Sequence, residues 1–424
     1  MESNSVKFLN DKCIKCTKCV MKCKSIGIEH ICVKGTGKDR YIDFIDENPC
    51  TKCGQCTLVC PVAAMIEGNN IENVKNALED RNKLVVVQSA PSVRTSINEI
   101  FKMDYDVNME KKLNTCYRKL GFSRIFDVNF GADITSIIEA EELLERLEDE
   151  NSVLPMFTSC CPSWVSFVKF YKPELIPSLT TAMSPHIHSA IAYKTWWAEM
   201  EGIDPKNIIV VSIMPCTSKK EEICEFNGSK AVDYVLTVRE LAKLIVEKGI
   251  DFQNLEESEG DKLSKYSAGG AIYGKSGGVM ESALRIVKSK VDNANLENFK
   301  MQNVDSDGIK FKETEILVGG KKVKVAVISS PKNFRPFLDR ELYKNYHYIE
   351  VMNCEGGCIN GGGQPLLPPK PNSEYELIEK RKSVLNGIDT KLRKNNAFDN
   401  RDVEEYIKWA KTKPFKHELF HTSF

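Results

Sequence analysis

CIKCTKCVMKC (residues 13–23) and CTKCGQCTLVCP (residues 50–61) carry one arrangement of thiols twice: Cys13, Cys16, Cys19 and Cys23, then Cys50, Cys53, Cys56 and Cys60. Each is a C-x2-C-x2-C-x3-C run, which wraps three thiolates around one [4Fe–4S] cube and lends its fourth to a neighbouring cube. Two runs predict two cubes, one held by Cys13, Cys16, Cys19 and Cys60 and the other by Cys50, Cys53, Cys56 and Cys23. The rival is a pair of zinc sites, but thiolates so tightly spaced, twice over, do not follow the usual zinc spacings. A segment of this kind is held by its clusters more than by an apolar core. Cys32, between the runs and outside their spacing, reads as a small buried hydrophobe.

The full chain of 424 residues is 42% hydrophobic and 28% charged, an ordinary globular composition with material for two or three domains. Its 59 basic and 59 acidic residues balance. Bulk charge therefore directs it neither to nucleic acid nor to an anionic membrane, and electrostatic recognition must be local. No basic N-terminal segment leads into an apolar stretch, and no apolar run reaches about 18 residues, which predicts a cytoplasmic protein. In a reducing cytosol 16 cysteines, clustered rather than scattered, signal metal and not disulfides.

Beyond Lys83 the texture changes. KLVVVQ (83–88), RIFDVNF (124–130), LPMFTS (154–159), NIIVVSIM (207–214), VDYVLTV (232–238), KVKVAVISS (322–330) and YHYIEVM (346–352) read as strands. Continuous apolar runs separated by helical stretches predict mostly parallel sheet buried on both faces, with the ligand beyond the carboxyl ends of the strands. The unusual residues fall there. Ala90-Pro91-Ser92 follows the first strand, Cys160-Cys161 in FTSCCPSW (157–164) the third, MPCTSK (214–219) the fourth and NCEGGCINGGGQP (353–365) the last. Cys161, Cys216, Cys354 and Cys358 supply four thiolates, enough for a third cube, and the glycines around Cys358 let backbone approach a bulky group.

TSCCPSW, MPCTSKKEE and EVMNCEGGCINGGGQP, in this order behind the cysteine runs, resemble the three signature segments of the iron-only ([FeFe]) hydrogenases. QSAPSVR, FDVNFGAD, GGAIYGKSGGVMESALR and HELFHTSF add to the likeness, which spans essentially the whole chain, and the first 80 residues resemble a bacterial two-cluster ferredoxin. The implied architecture is α+β and α/β. A ferredoxin-like domain over residues 1–80 precedes a larger two-lobed α/β catalytic domain over residues 81–424, with mostly parallel sheets around the H-cluster and a wrapping segment from about residue 395 to 424.

The resemblance also implies roles. The H-cluster is a [4Fe–4S] cube joined through one thiolate to a diiron unit with CO, cyanide and a bridging azadithiolate. By motif match Cys161, Cys216 and Cys354 hold the cube and Cys358 bridges to the diiron unit. Lys219 offers an ammonium to one cyanide, Ser92 and the backbone at Pro91 serve the other, and Met214, Pro215, Met352 and Gln364 complete the cofactor site. Cys160 is the terminal proton carrier, which explains the adjacent cysteines: one ligates, and the other gives and regains a proton. Glu139, Glu142 and Arg146 recur at i, i+3 and i+7 on a helix expected to begin near Asp133, so they share a face. They match the family's acidic relay and outer arginine, with Thr180 between the glutamates where serine is usual. Its hydroxyl still donates and accepts, but its β-branch restricts its rotamers.

Other departures are Lys24 in place of proline after Cys23, His186 where many relatives carry glutamine, and Asn353 where a small residue is common. Cys116 and Cys224 match no motif and read as packing residues, and His417 and His421 as structural. The implied activity is reversible conversion of two protons and two electrons to H2, with electrons relayed through the two accessory cubes. Expected partners are a soluble ferredoxin or flavodoxin and the proteins that mature the diiron unit. A hydrogen sensor of low turnover is the alternative, and a non-catalytic iron–sulfur assembly protein a more distant one. Intact Cys358, Cys160 and Lys219 weigh against the assembly protein, and the retained Cys160 against the sensor.

Overall fold

Turns and short strands, more than regular layers, surround the two cysteine runs. The computed structural model describes residues 3–222, 225–226, 228–296, 299–367, 373–392 and 396–424, so Cys224 lies outside the described residues. Strand β1 (Val6–Phe8) pairs antiparallel with β4 (Met65–Glu67), and between them β2 (Ile31–Lys34) pairs with β3 (Tyr41–Phe44). The sequence repeat is also a backbone repeat. Lys15 and Thr17 in the first run, and Lys52 and Gly54 in the second, take left-handed φ of 57°, 65°, 62° and 71°. Lys15 N donates to Cys13 Sγ and Lys52 N to Cys50 Sγ, each at 3.4 Å. Helix α1 (Lys18–Ser25) carries Cys19 and Cys23 four residues apart on its buried side, so a single helix presents one thiol to each predicted cluster.

The rest of the chain builds two sheets. In the first, β5 (Leu84–Ser89), β6 (Arg124–Asp127), β8 (Ile208–Met214) and β11 (Tyr234–Thr237) are all parallel, in the order β11-β8-β5-β6. In the second, the order is β12-β13-β14-β15-β7, formed by β7 (Met156–Phe157), β12 (Gln302–Ser306), β13 (Ile309–Val318), β14 (Lys321–Ser329) and β15 (Tyr348–Met352). Here β14, β15 and β7 are parallel, and β12 and β13 antiparallel. A minor hairpin, β9 (Glu225–Phe226) and β10 (Ser229–Lys230), follows β8. The expected mostly parallel α/β sheets are present. The β12–β13 hairpin, absent from the strands read in the sequence, alternates polar and apolar residues because it covers the sheet edge with one face in water.

Two boundaries differ from the sequence reading. Strand β6 stops at Asp127, whose carboxylate accepts from Asn129 N at 2.8 Å and caps helix α2 (Val128–Glu148). The helix therefore begins at Val128, not near Asp133. Its first half is buried on every side, which made Val128–Phe130 look like strand. LPMFTS keeps only Met156–Phe157 as strand.

The N-terminal segment also shares an apolar core with the second sheet: Val6, Ile28, Ile31 and Met65 pack in one cluster with Phe157, Trp164 and Phe167. It is held by more than its expected clusters. Cys116 is fully buried in the larger core, as read, but Cys32 on β2 is only half-buried. A buried ion pair adds a second tie. Arg239, in helix α3 (Val238–Glu247), places Nη2 2.7 Å from Glu67 Oε2 and 2.8 Å from Thr57 Oγ1, and donates to the carbonyl of Gln364. Burial opposes ionisation of Glu67, but the Arg239 charge and hydrogen bonds outweigh it and hold the carboxyl down to about 2.

Arg239→Leu leaves that carboxylate buried and unpaired, and is expected to destabilise the loaded protein by about 3–5 kcal/mol in chemical denaturation. Because the folded pKa of Glu67 is depressed, the stabilisation it provides is present above the unfolded value near 4.3 and is lost as pH falls toward 2. Wild type should therefore lose stability through that window more steeply than Arg239→Leu.

Candidate active site

Four parallel strands from two sheets release the chain at one place. Strand β5 leads into Ala90-Pro91-Ser92, β7 into Cys160-Cys161, β8 into Pro215-Cys216 and β15 into Asn353-Cys354. A cavity between them is lined by Pro91, Ser92, Cys160, Met214, Pro215, Cys216, Lys219, Met352 and Cys358, with Ala132 of α2, His186, Tyr273 and Gly274 completing the wall. Gly357, at φ 98°, lies so close to the Gly274–Ser276 backbone that a Cβ would fall 2.5 Å from Ser276 N. Only glycine allows the Cys358 loop this approach.

Lys219 reaches this cavity from the turn after Cys216. Its Nζ donates to Glu222 Oε2 at 2.5 Å and to the Cys160 carbonyl at 3.1 Å. The same Glu222 oxygen accepts from His186 Nε2 at 2.6 Å and Ser184 Oγ at 3.0 Å. Burial works against the Lys219 charge, but Glu222 holds its pKa above the ordinary lysine value. Burial likewise opposes ionisation of Glu222, which Lys219 and His186 bring down to about 2. Burial and the Lys219 charge depress His186, leaving it neutral at pH 7. A fixed positive charge thus faces the cavity beside a neutral imidazole, both oriented by one carboxylate.

The relay residues lie on the α2 side. Arg146 Nη2 is 2.5 Å from Glu142 Oε1, and Glu142 Oε2 accepts from Thr180 Oγ1 at 2.7 Å, Thr181 N at 2.9 Å and Thr181 Oγ1 at 3.1 Å. Thr180 is held by Thr180 N to Phe157 O at 2.8 Å, and the C-terminal segment pins its neighbours through Met183 N to Phe420 O and Thr422 N to Thr181 O. Glu139 is buried, and Tyr348 donates to its Oε1 at 2.8 Å. No hydrogen bond joins Glu139 to Thr180 or Cys160 among the described residues, and its Oε2 is buried without a partner. Burial, with the charges of Glu142 and Glu350, pushes Glu139 up to about 8 against the Tyr348 hydrogen bond. Burial also pushes the Cys160 thiol up, aided by the Glu139 charge and opposed by Lys219. Both groups therefore carry protons at neutral pH.

The predicted cluster ligands fall into three groups. Cys13, Cys16, Cys19 and Cys60 line one enclosed cavity, and Cys56 lies in the field of Cys23, Cys50 and Cys53. Cys354 and Cys358 each sense Cys161 and Cys216. No three of the ligand-type side chains converge tightly enough for a single ion among the described residues. Each group brings four thiols together, the number a cube with one thiolate per iron requires. The second and third groups meet directly. Gln55 Nε2 donates to Cys354 Sγ at 3.4 Å and to Asn360 O at 2.7 Å, and Thr217 Oγ1 donates to Lys52 O at 2.8 Å.

The cavity also fits the implied diiron unit. Ser92 Oγ is buried with no partner among the described residues, and Lys219 presents its ammonium to the same space. Two acceptors such as cyanide nitrogens would satisfy them, one for Lys219 and the other for Ser92. Gln364 lies immediately behind this cavity. Its amide braces backbone, donating to the carbonyls of Ser92, Cys358 and Ile359 and accepting from Ser96 Oγ at 2.6 Å, and it is not part of the cavity wall. Sequence reasoning missed Tyr348 and Glu222. Tyr348 stood inside an apolar strand pattern, whereas Glu222, three residues after Lys219 in MPCTSKKEE, was within reach of an i, i+3 argument.

Comparison with known proteins bears on this site. The family model "Iron only hydrogenase large subunit, C-terminal domain" matches residues 83–362, and a 4Fe-4S binding domain model matches residues 44–65. The chain is 41% identical to iron hydrogenase 1 of Clostridium pasteurianum over 450 aligned positions, covering 100% of this chain and 76% of that protein. It is 38% identical to the periplasmic [Fe] hydrogenase large subunit of Nitratidesulfovibrio vulgaris over 76% of this chain and 86% of that one. The solved [FeFe]-hydrogenase HydA1 from Chlamydomonas reinhardtii superposes with a TM-score of 0.74 at 30% identity, covering 84% of this chain and 98% of that one.

A carboxyl whose folded pKa is raised costs stability as pH rises, since the unfolded group ionises from about 4.3 while the buried one keeps its proton to about 8. Glu139→Gln removes that cost. The variant is expected to be more stable than wild type by on the order of 3 kcal/mol at pH 7 and by little at pH 4. Equal stability at both values, in denaturation of the loaded protein, would show that Glu139 is ionised.

Proposed function

The chain belongs to the iron-only hydrogenase family, oxidoreductases acting on H2, and from that premise we propose that it interconverts protons, electrons and H2 in both directions. The observation that carries this reading is the convergence of Cys160, Lys219, Ser92 and Cys358 on one buried cavity. An assembly protein without a diiron unit has no use for a thiol proton carrier and a fixed ammonium there. Bound through Cys358, the H-cluster would supply the electrons and the open iron site for H2 chemistry.

The chain's own residues do the rest. Cys161, Cys216, Cys354 and Cys358 hold the cluster, and Lys219, kept charged by Glu222, orients it by hydrogen bonding. Met214, Pro215, Met352, Pro91 and Ser92 pack around it and exclude water. Protons pass from Glu142, which the Arg146 ion pair holds at the outer end, through Thr180 to Glu139 and then Cys160. Glu139 suits a donor because its raised pKa keeps the proton on while leaving it transferable near neutral pH. Tyr348 fixes one Glu139 oxygen, so the unpartnered Oε2 is the one free to exchange.

Residues 1–80 form the electron-relay domain and residues 81–424 the catalytic domain, whose final segment from about residue 395 locks the Thr180 loop. Cys13, Cys16, Cys19 and Cys60 would hold one accessory cluster and Cys23, Cys50, Cys53 and Cys56 the other, which would supply a path for electrons toward the cluster held by Cys354, with Gln55 bridging the two cysteine groups. A soluble ferredoxin or flavodoxin supplies the electrons, the diiron unit is inserted by maturation proteins, and the enzyme works in the cytoplasm. No helix among the described residues is long and apolar enough to cross a membrane.

Cys160→Ala is expected to lower H2 turnover at least about a hundredfold while iron content stays at the wild-type level, the usual cost of removing a positioned proton carrier. Thr180→Ser should remain active and Thr180→Val should be slow, since only the first keeps a hydroxyl on Glu142. Full turnover in Cys160→Ala, measured with a reduced dye, would remove the relay from the account.

A further inference from the structure

The proton path leaves the step from Glu139 to Cys160 without a hydrogen bond, and the buried hydroxyls of Ser136, Tyr273 and Ser282 stand beside it. Ala132, Ser136 and Glu139 recur at i, i+4 and i+7 on α2, so one helix face runs from the cavity wall at Ala132, past Ser136, to the relay carboxyl. Ser136 Oγ donates to Ala132 O at 2.8 Å and lies 2.9 Å from the Tyr273 hydroxyl and 2.7 Å from Ser282 Oγ. Tyr273 stands in the turn before helix α4 (Gly278–Asp292), which carries Ser282.

Counting protons settles what these hydroxyls present to the cavity. A serine hydroxyl donates once and accepts twice. With the Ser136 proton on Ala132 O, Tyr273 and Ser282 both donate to Ser136, and the Tyr273 oxygen keeps its accepting capacity unused among the described residues. Tyr273 lines the cavity with Cys160, and it packs with Ala132, Val279 and Met352 in an apolar cluster against which Cys160 and Cys161 lie. Burial pushes its phenol well above the ordinary range, aided by the Glu139 and Cys160 charges and opposed by the Ser136 hydrogen bond. The hydroxyl thus keeps its proton and feels both relay groups. A wall that only excluded water would gain nothing from a buried hydroxyl, which costs free energy unless it is paired.

We propose that the Tyr273 hydroxyl carries the proton between Glu139 and Cys160, with Ser136 and Ser282 as its positioning residues. The inference rests on the proposed proton relay and supplies its unbridged step. Tyr273 turns its proton from Ser136 to the Cys160 thiolate, left when Cys160 has given its own proton away, and releases it there while the Tyr273 oxygen takes the proton of Glu139. The O–H bonds of Glu139 and Tyr273 break, an S–H bond on Cys160 and a new O–H bond on Tyr273 form, and negative charge passes from Cys160 to Glu139 with no change of oxidation state. Ser282 goes on donating to Ser136 while Tyr273 is turned away.

The test compares loaded wild type with Tyr273→Phe, Ser136→Ala and Glu139→Gln. The carbonyl band of the protonated Glu139 carboxyl, identified by its loss in Glu139→Gln, is read by infrared spectroscopy without turnover. Tyr273→Phe keeps the ring and removes only the hydroxyl. In it the Glu139 band should move to higher frequency, because the acid loses its acceptor, and H2 production from reduced methyl viologen should fall at least about tenfold at unchanged iron content. Ser136→Ala, which leaves the phenol present but unheld, should fall between in both readouts. An unmoved band or undiminished turnover in Tyr273→Phe, beside a slow Glu139→Gln, would overturn the Tyr273 step alone. Full turnover in Glu139→Gln would sink the relay and this inference with it.

Discussion

At the carboxyl end of a parallel strand the ladder stops, and the chain must leave the sheet through a loop whose polar groups need new partners. This protein brings four such ends, two from each sheet, against one cavity. The cysteines, Lys219 and the unpartnered Ser92 hydroxyl are tolerable there only together. An ammonium buried in this way is costly unless paired, and Glu222 is the pair, shared with His186 and Ser184. The sheets thus set the position of the site and one carboxylate sets its charge.

The N-terminal cysteine segment is tied into that arrangement by contacts of three kinds. Its apolar residues enter the core of the second sheet, Glu67 is buried against Arg239, and Gln55 and Lys52 touch the loops of Cys354 and Thr217. Glycine makes the closest of these possible, since a Cβ on Gly362 would fall 2.1 Å from the Cys53 carbonyl oxygen. Such proximity would suit the proposed passage of electrons between the two cysteine groups, and these contacts are why the segment is not a freely tethered module.

The grouping of the cysteines was legible because metal spacing is local. Cysteines spaced two or three residues apart signal metal ligation before any fold is known, and a strand that ends in cysteine marks its own carboxyl end. The parallel sheets were legible for the same reason, through continuous apolar runs. Contacts between distant segments were not. Nothing in YHYIEVM distinguishes the Tyr348 hydroxyl that meets Glu139, 209 positions away, from any core tyrosine. The start of α2 at Val128 was hidden because a helix buried all round looks like strand over a short window. The β12–β13 hairpin was missed because an alternating edge pattern was weighed against a template for buried strands. Gln364 was placed by motif at the cofactor, and its backbone-bracing hydrogen bonds could be seen only in three dimensions.

The central claim is that this cavity supports H2 chemistry in both directions. Film voltammetry of anaerobically matured protein, under H2 and then under inert gas, tests it most directly. The account predicts catalytic current of both signs, oxidative under H2 and reductive under inert gas. No catalytic current from protein whose infrared spectrum shows the CO and cyanide of an inserted diiron unit would contradict it.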